Sequence, residues 1–333
     1  MRARPPGAPG PAAGWPARDA RGSPAARRRL QTGSAPPSSV GPMSETSVTN
    51  LSATPDQPAV TVGSPVWIDY TAVDFPAQRA FYEALFGWTF EDQGEEYGHY
   101  MMIRKDDATV GGAMDAADLP PAPEGMPPAV WTVYLKTEDI DRTMELVAEH
   151  GGTVVNEPMD VGPLGRMAIV ESAGGEALGF WEPGEFPGHD LPLTPGTSVW
   201  FEVMSTDVAA DAAFYRNVAG WDVVPMRGDA PDGDGAAGDV DPGAAGEGPA
   251  YATNFADEDS TAGLCDATPW LPEGTPSYWR PYFQVTDMEE AVRVVAEHGG
   301  RVVDGPMDSP FGVVASVLDP AGATFQLNQP PRG

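Results

Sequence analysis

The chain has 333 residues, a formal net charge of -30 at pH 7 and a single cysteine, Cys265. So strong a negative charge repels phosphate backbones and anionic lipids, which argues against nucleic acid or a membrane surface as a partner. One cysteine excludes an intrachain disulfide and a cysteine-based zinc site, and it is typical of a reducing, cytoplasmic compartment. The sequence contains no run of about 18 apolar residues, so it predicts no membrane-spanning helix.

Residues 1–60 differ in composition from the rest of the chain, being rich in proline, alanine, glycine and serine. The basic stretch "ARRRLQ" is not followed by an apolar segment, which argues against an export signal. Two interpretations remain, a disordered basic arm or a start codon placed upstream of a natural start at Met43. Under either one, we expect residues 1–60 to be unstructured.

Beyond residue 60 the sequence repeats itself. "VWIDYTAVD" (66–74) and "AFYEALFGW" (80–88) return 133 residues later as "VWFEVMSTD" (199–207) and "AFYRNVAGW" (213–221). "AEHGGTVVNEPMD" (148–160) returns as "AEHGGRVVDGPMD" (296–308). The repeat predicts two modules, at about 61–185 and 195–330, joined by a Pro- and Gly-rich linker at 186–194. The second copy is longer because of a Gly- and Asp-rich insert at about 227–249, which we predict to be a flexible loop.

Each module is itself double. In the first half, residues 66–74 alternate as a strand does, and "FPAQRAFYEALFGW" has the apolar spacing of a helix that ends at Gly87. In the second half, "WTVYLKTEDI" predicts a strand and "DIDRTMELVAEHGG" a helix, and three short strands follow. The chain is therefore predicted to be α+β, with four βαβββ units forming two curved, cup-like mixed sheets that carry their helices outside.

These segments, together with the closing "DPAGATFQL", resemble the vicinal oxygen chelate superfamily of glyoxalases, bleomycin-resistance proteins and extradiol dioxygenases. The tandem form resembles the two-module glyoxalase-like proteins of actinobacteria. The resemblance covers nearly everything after residue 60. It indicates the fold more strongly than the activity, because one fold carries many chemistries.

The repeated phrase "AFYEALFGW" is interpreted as part of the fold. Phe81 and Leu85 share one helical face, and packing that face on the sheet explains the pattern. Tyr82 and Tyr215 could reach a ligand, but tyrosine more often spans core and surface.

The resemblance also implies where a metal would be held. Metal-using members place ligands on the inner faces of their sheets, seven positions before the Asp that opens each helix and again on a later strand. In this sequence the first set of positions is occupied by Trp67, Thr132, Trp200 and Arg280. The later-strand positions fall on Gly179 and Gln326. We therefore expect no metal at the family's usual positions, and a divalent ion stays possible only in an unusual site.

Two residues could contribute to such an unusual site. Gln326 can coordinate weakly, and His99 in "GHYMMI" is predicted on a strand that could face the cup. His189 falls in the linker, and His150 and His298 are predicted at helix C-termini.

In the first cup, strand alternation places Trp67 and Asp69 on one face, with Thr132 and Tyr134 opposite them. Asp69 has no basic partner in this pattern, and a carboxylate under an indole could serve as a general base.

In the second cup, the same counting places Trp200 and Glu202 opposite Arg280 and Tyr282. One interpretation is a buried structural network in which Glu202 pairs with Arg280. The other is an apolar pocket with a few convergent polar groups, as small-molecule sites usually are. Under the second interpretation Asp69 and Glu202 are the candidate catalytic residues. The candidate ligand-binding residues are Trp67, His99, Tyr134, Trp200, Arg280, Tyr282 and Gln326.

Three functions fit these observations. The first is a metal-independent module that binds, and so sequesters or detoxifies, a small molecule. The second is a metal-dependent enzyme of the glyoxalase, lyase or dioxygenase type with a non-standard site. The third is a scaffold with no ligand. The paired modules allow a pseudo-dimeric monomer or a homodimer.

Overall fold

The computed structural model describes residues 60–118, 127–189, 191–226 and 251–331. The predicted N-terminal arm, apart from its last residue, and the predicted insert at 227–249 lie outside these residues. Among the helices described, none is long and apolar enough to cross a membrane.

Module 1 is built from two βαβββ units in succession. Its strands and helices are β1 (Pro65–Ala72), α1 (Phe75–Phe86), β2 (Thr89–Asp92), β3 (Met101–Lys105), β4 (Ala108–Asp115), β5 (Ala129–Lys136), α2 (Ile140–Glu149), β6 (Thr153–Asp160), β7 (Gly165–Glu171) and β8 (Ala177–Pro183).

Module 2 repeats this order, so the predicted βαβββ plan is confirmed in both modules. Its elements are β9 (Ser198–Ser205), α3 (Val208–Phe214), β10 (Val224–Pro225), β11 (Tyr251–Thr253), β12 (Ala262–Asp266), β13 (Tyr278–Gln284), α4 (Met288–Glu297), β14 (Arg301–Ser309), β15 (Gly312–Leu318) and β16 (Thr324–Gln329). A π-helical turn over Tyr215–Ala219 continues α3.

Each module forms one open, mixed sheet of eight strands. The first has the order β2-β3-β4-β1-β5-β8-β7-β6, and the second has the corresponding order β10-β11-β12-β9-β13-β16-β15-β14. The first strands of the two units pair antiparallel at the centre, with Asp69 opposite Thr132 and Glu202 opposite Arg280. This register places the predicted cup residues in the middle of each sheet.

The helix boundaries follow local chemistry. Asp139 caps α2 by accepting a hydrogen bond from the backbone N–H of Arg142, as an N-cap aspartate commonly does. Helix α1 ends at Gly87, whose φ of 67° lies in the left-handed region predicted for it. The second copy ends in the same way at Gly220, with φ of 73°.

The four helices lie on the faces of the sheets opposite the cups, and they meet one another between the two modules. Helix α1 packs beside α4, and α2 packs beside the π-helical turn that continues α3. A Cβ at Gly300 would meet the ring of Phe81, and a Cβ at Gly152 would meet the ring of Phe214. The repeated phrase of each module therefore packs on the "AEHGG" segment of the other, and one hydrophobic core spans both modules.

Candidate functional site

Each sheet has one face that packs on the helices and another that forms a cup. In β1, Ile68 and Tyr70 belong to the helix-packed core, whereas Trp67 lies in a separate cluster on the other side. We call the face carrying Trp67 and Asp69 cup 1, and the face carrying Trp200 and Glu202 cup 2. The face assignment predicted from strand alternation is correct in both modules.

Cup 1 contains a buried carboxylate surrounded by three neutral donors. The Trp67 indole Nε1 donates to Asp69 Oδ1 at 2.9 Å, and the Tyr100 hydroxyl donates to the same oxygen at 2.5 Å. The Tyr134 hydroxyl donates to Oδ2 at 2.8 Å. Burial raises the pKa of Asp69, while the bonds from Tyr100, Tyr134 and Trp67 oppose that rise. No cation is paired with Asp69 among the residues that the structure describes.

Cup 1 is filled by the chain itself. Phe186, in the predicted linker, lies edge-on to the Trp67 ring with a centroid distance of 5.2 Å. Its carbonyl accepts a bond of 2.9 Å from Trp181 Nε1, and its N–H donates to the carbonyl of Leu164. The aromatic ring is thus held in place from both sides, and Trp67 is only 8% exposed.

We call the Phe186 side chain the plug of cup 1. His189, three residues further along the chain, lies beside it, between the two modules. Its backbone N–H donates to the carbonyl of Val66, and its ring lies between the rings of Trp67 and Phe201. Burial lowers the pKa of His189 to about 4, so the ring is neutral at physiological pH.

Cup 2 contains a buried ion pair. The Arg280 guanidinium donates to Glu202 Oε2 through Nε at 2.9 Å and Nη2 at 2.5 Å, and the Tyr282 hydroxyl donates to the same oxygen at 2.8 Å. Arg280 is 6% exposed and Glu202 is 3% exposed. This is the pairing of Glu202 with Arg280 that one of the two interpretations of the sequence expected.

The two cups share one arrangement with one difference. Trp200 Nε1 donates to the Tyr251 hydroxyl at 3.0 Å, just as Trp67 donates to Tyr100. Each cup therefore combines an indole, a carboxylate and two tyrosines. The difference is the residue opposite the carboxylate, Thr132 in cup 1 and Arg280 in cup 2. Among the described residues, the carboxylate of cup 2 has a cationic partner and that of cup 1 has none.

Sequence reasoning missed Tyr100 and Tyr251. Both lie over a glycine, since a Cβ at Gly112 would coincide with the Tyr100 hydroxyl and one at Gly263 with the Tyr251 hydroxyl. The signal was present in the repeat, because each tyrosine precedes its glycine by the same number of residues.

Cup 2 is the more open of the two. Trp200, Tyr251 and Tyr282 are all half-buried, whereas in cup 1 Tyr100 is half-buried and Trp67 and Tyr134 are buried. A small cavity of about 20 Å³ lies beside Arg280 and Tyr278 and has room for about one water molecule. The aromatic side chains of cup 2 are thus accessible from solvent, while its polar floor is closely packed.

Gln326 lies on the floor of cup 2, on the strand beside Tyr282. It is 4% exposed, and its Oε1 has no hydrogen-bond partner among the described residues. A buried acceptor without a partner is costly, so a donor group entering the cup would find a ready partner there.

The prediction that His99 lies on a strand is wrong. It lies in a turn before β3 with a left-handed φ of 58°, not on a strand, and its side chain is about half exposed. Its Nδ1 lies 3.0 Å from Asp92 Oδ2, on the outer edge of the sheet and away from cup 1. The preceding Gly98, also left-handed, turns the chain so that the alternation of β3 does not extend back to His99.

At the positions where the resemblance implies metal ligands, only Thr132 and Gln326 offer an oxygen, and the other four residues do not fit a divalent cation. An indole N–H and a guanidinium are donors only, and neither offers a lone pair. Gly179 has no side chain, and the Tyr134 ring lies where its Cβ would project. Across the described residues, no three His, Cys, Asp or Glu side chains are grouped as a metal site would require.

The tandem pairs of βαβββ units and the two inward-facing cups define a protein of the vicinal oxygen chelate class. Residues 64–180 match the glyoxalase/bleomycin resistance protein/dioxygenase superfamily, and residues 199–328 match the glyoxalase-like domain. The chain belongs to this superfamily, as the sequence predicted.

Two relatives align with most of this chain. The protein named glyoxylase CFP32 of Mycobacterium tuberculosis is 32% identical over 274 residues, covering 80% of this chain and 95% of the relative. The anthracycline biosynthesis protein DauV of Streptomyces sp. strain C5 is 34% identical over 277 residues, covering 80% of this chain and 92% of the relative.

Solved structures share the fold at low identity. The Mn(II)-bound glyoxalase of Novosphingobium aromaticivorans has a TM-score of 0.51 at 16% identity, with coverage of 80% of this chain and 82% of that one. The 2,3-dioxygenase LapB of Pseudomonas sp. KL28 has a TM-score of 0.54 at 13% identity, with coverage of 83% and 94%. At such identities the likeness concerns the fold alone.

Proposed function

We propose that the protein binds a small, planar aromatic molecule in cup 2 and does so without a resident metal. The observation that carries this proposal is the accessible set of aromatic side chains, Trp200, Tyr251 and Tyr282, above a polar floor where Gln326 Oε1 lacks a partner. Aromatic walls with a few convergent polar groups are the usual form of a small-molecule site.

Three further facts support a ligand that is aromatic and neutral or cationic. Phe186 lies in cup 1 edge-on to Trp67, and this contact supports an aromatic ring as the group that such an arrangement of side chains would bind. The net charge of -30 favours cations over anions in the surrounding field. A relative that this chain covers over 92% of its length is named for anthracycline biosynthesis.

Metal independence is part of the proposal and rests on the donor chemistry of Trp200, Arg280 and Gly179. Metal analysis of the purified protein should find substoichiometric divalent ions, and EDTA should leave ligand binding unchanged. A stoichiometric metal whose removal abolishes binding or turnover would instead favour the glyoxalase or dioxygenase type of enzyme. In that case the catalytic roles considered for Asp69 and Glu202 would need reassessment.

Replacing Trp200 with alanine tests the site directly. With a cationic aminoanthraquinone as the probe, we expect Trp200→Ala to weaken binding about 10- to 100-fold, since a buried aromatic contact commonly contributes about 1–3 kcal/mol to binding. Titration by calorimetry gives the dissociation constant. The matched control is Trp67→Ala in the plugged cup 1, which should leave the affinity nearly unchanged. An equal loss in both variants would contradict the assignment to cup 2.

Replacing Phe186 with alanine should open cup 1. Removing the ring leaves Trp67 with the accessible face that Trp200 already has, so the variant should bind about two probe molecules per chain where the native protein binds one. The same calorimetric titration measures this stoichiometry. We expect a cost in stability of roughly 1–3 kcal/mol, because the lost side chain is half-buried. A stoichiometry that stays at one would show that the plug does not decide which cup is used.

A further inference from the structure

Another buried polar cluster lies where the modules meet, outside both cups. Glu176 is in the turn between β7 and β8 of module 1 and is 1% exposed. Asp211 is in the first turn of α3 of module 2 and is 0% exposed. The backbone N–H of Ser277 donates to the carbonyl of Gly174 at 3.2 Å, which ties the same turn to module 2.

Each carboxyl group has one oxygen with partners and one without. Glu176 Oε1 accepts from the Tyr215 hydroxyl at 2.6 Å. Asp211 Oδ2 accepts from the hydroxyls of Ser205 at 2.6 Å and Ser277 at 2.8 Å. Glu176 Oε2 and Asp211 Oδ1 have no hydrogen-bond partner among the described residues. Two fully buried carboxyl oxygens without partners require an explanation.

The two free oxygens border the same space. A Cβ at Gly174 would coincide with Asp211 Oδ1 and would lie 2.8 Å from Glu176 Oε2. The glycine therefore lets the two oxygens approach one another from different modules. One group placed between them would satisfy both.

Among the described residues, no positively charged group acts on either of the two carboxyl groups. Apart from each other, the described ionisable groups that interact with the pair are Tyr215, which interacts with both carboxyl groups, and Asp207, which acts on Asp211. Burial, and then the proximity of Asp211, raise the pKa of Glu176 to about 8, although hydrogen bonds from Ser172 and Tyr215 oppose the rise. Burial also raises the pKa of Asp211. Like charges in one buried site cannot both be ionised cheaply.

We propose that Glu176 and Asp211 share one proton between Oε2 and Oδ1, and that this proton links module 1 to module 2. The pair then makes the association of the modules sensitive to pH. A divalent cation is the weaker alternative, because a hard cation takes six or more oxygen ligands, waters included. Among the described residues only two free oxygens border this site, and both belong to side chains that are fully buried from water.

The direction of the pH effect follows from linkage. In the unfolded chain Glu176 loses its proton near its ordinary pKa of 4.5, whereas in the folded protein it keeps the proton up to about pH 8. Between these values the folded state binds more protons than the unfolded state, so the free energy of unfolding falls as the pH rises. Below this window the contribution is fully present, and above it the contribution is lost.

Glu176→Gln tests the proposal, because its amide can donate permanently to Asp211 Oδ1. At pH 6 we expect the variant to be about as stable as the native protein, and at pH 9 to be more stable. Urea unfolding at both pH values gives the unfolding constants. Relative to that of the variant, the unfolding constant of the native protein should rise by up to about tenfold per pH unit between the unfolded pKa of 4.5 and the folded pKa of about 8. Infrared spectra of the native protein should show a protonated carboxyl band that the variant lacks.

Asp319→Asn is the matched control at the equivalent turn of module 2. There Oδ2 accepts from Tyr70 and Tyr82, and Oδ1 accepts from two backbone N–H groups, so both oxygens have partners. In the Asn variant the amide NH₂ would point at groups that are themselves hydrogen-bond donors. The control should therefore be less stable than the native protein at pH 6. A Glu176→Gln variant equally destabilised at pH 6 and pH 9 would overturn the proposal. So would a native protein that EDTA destabilises while the variant is unaffected, since that result assigns the site to a metal ion.

Discussion

Replacing Arg280 with methionine should cost about 3–5 kcal/mol of the free energy of unfolding, because it leaves Glu202 buried without its cation. Both side chains are almost fully buried, and the guanidinium supplies two of the three bonds to Glu202 Oε2. Chemical denaturation of the variant and the native protein measures the difference. The loss should be largely reversed in Arg280→Met/Glu202→Leu, because apolar replacement of both partners of a buried pair is often neutral.

The control for this prediction is Arg293→Met on the exposed face of α4. Arg293 pairs with Glu290 and Glu297 at distances as short as those in cup 2, but about half of its side chain is exposed. Exposed pairs contribute little because solvent screens them, so this variant should hardly differ from the native protein. If both arginine variants lose similar stability, burial does not explain the difference between the two ion pairs. The prediction that the buried pair in cup 2 contributes more to stability would then be wrong.

The repeat made most of the fold predictable. Once "AFYEALFGW" and "AFYRNVAGW" are aligned, the strand, helix and three strands of each unit follow from apolar spacing and glycine positions. Counting back seven residues from the aspartate before each helix then placed Trp67 and Trp200 correctly on the cup faces. Strand alternation is reliable there because β1 and β9 are central strands with one face on the core.

The side chain that fills cup 1 could not be predicted in the same way. Phe186 lies in a segment whose composition indicates a linker, and its position in cup 1 depends on contacts with Trp67, Trp181 and Leu164 from distant parts of the chain. Local sequence patterns predict which residues are buried, but they do not predict which part of the protein covers them. His99 shows the converse, since a left-handed turn interrupted the alternation on which its assignment relied.

The sequence pattern also did not predict how the two modules pack on each other. The apolar face of α1 was predicted to pack on its own sheet, and part of it does. The same face also contacts the other module, where Phe81 and Tyr82 lie against Phe325 with ring centroids 6.3 and 5.8 Å apart. Trp88 Nε1 reinforces the contact by donating to the carbonyl of Gly196 at 2.7 Å. A helical periodicity cannot tell a helix that covers one sheet from a helix that joins two.

Replacing Phe81 with alanine should therefore destabilise both modules together. The side chain is 1% exposed and packs against Gly300 of module 2 as well as Tyr82 of its own helix. A cavity of this kind costs about 3–5 kcal/mol. Since one core spans the modules, we expect a single cooperative unfolding transition whose midpoint shifts as a whole. Phe214→Ala should have a similar effect, because its ring makes the reciprocal contact with Gly152.

Phe311→Ala provides the matched control, because it makes the same substitution at a phenylalanine that is 65% exposed. It should change the free energy of unfolding by no more than about 0.5 kcal/mol. Circular dichroism and calorimetry on the three variants separate the possible outcomes. Two transitions in Phe81→Ala, with only one shifted, would mean that the modules fold independently. A single shifted transition would mean that the two modules unfold together. The repeated segment would then join the modules, because the copy in each module packs on the other module.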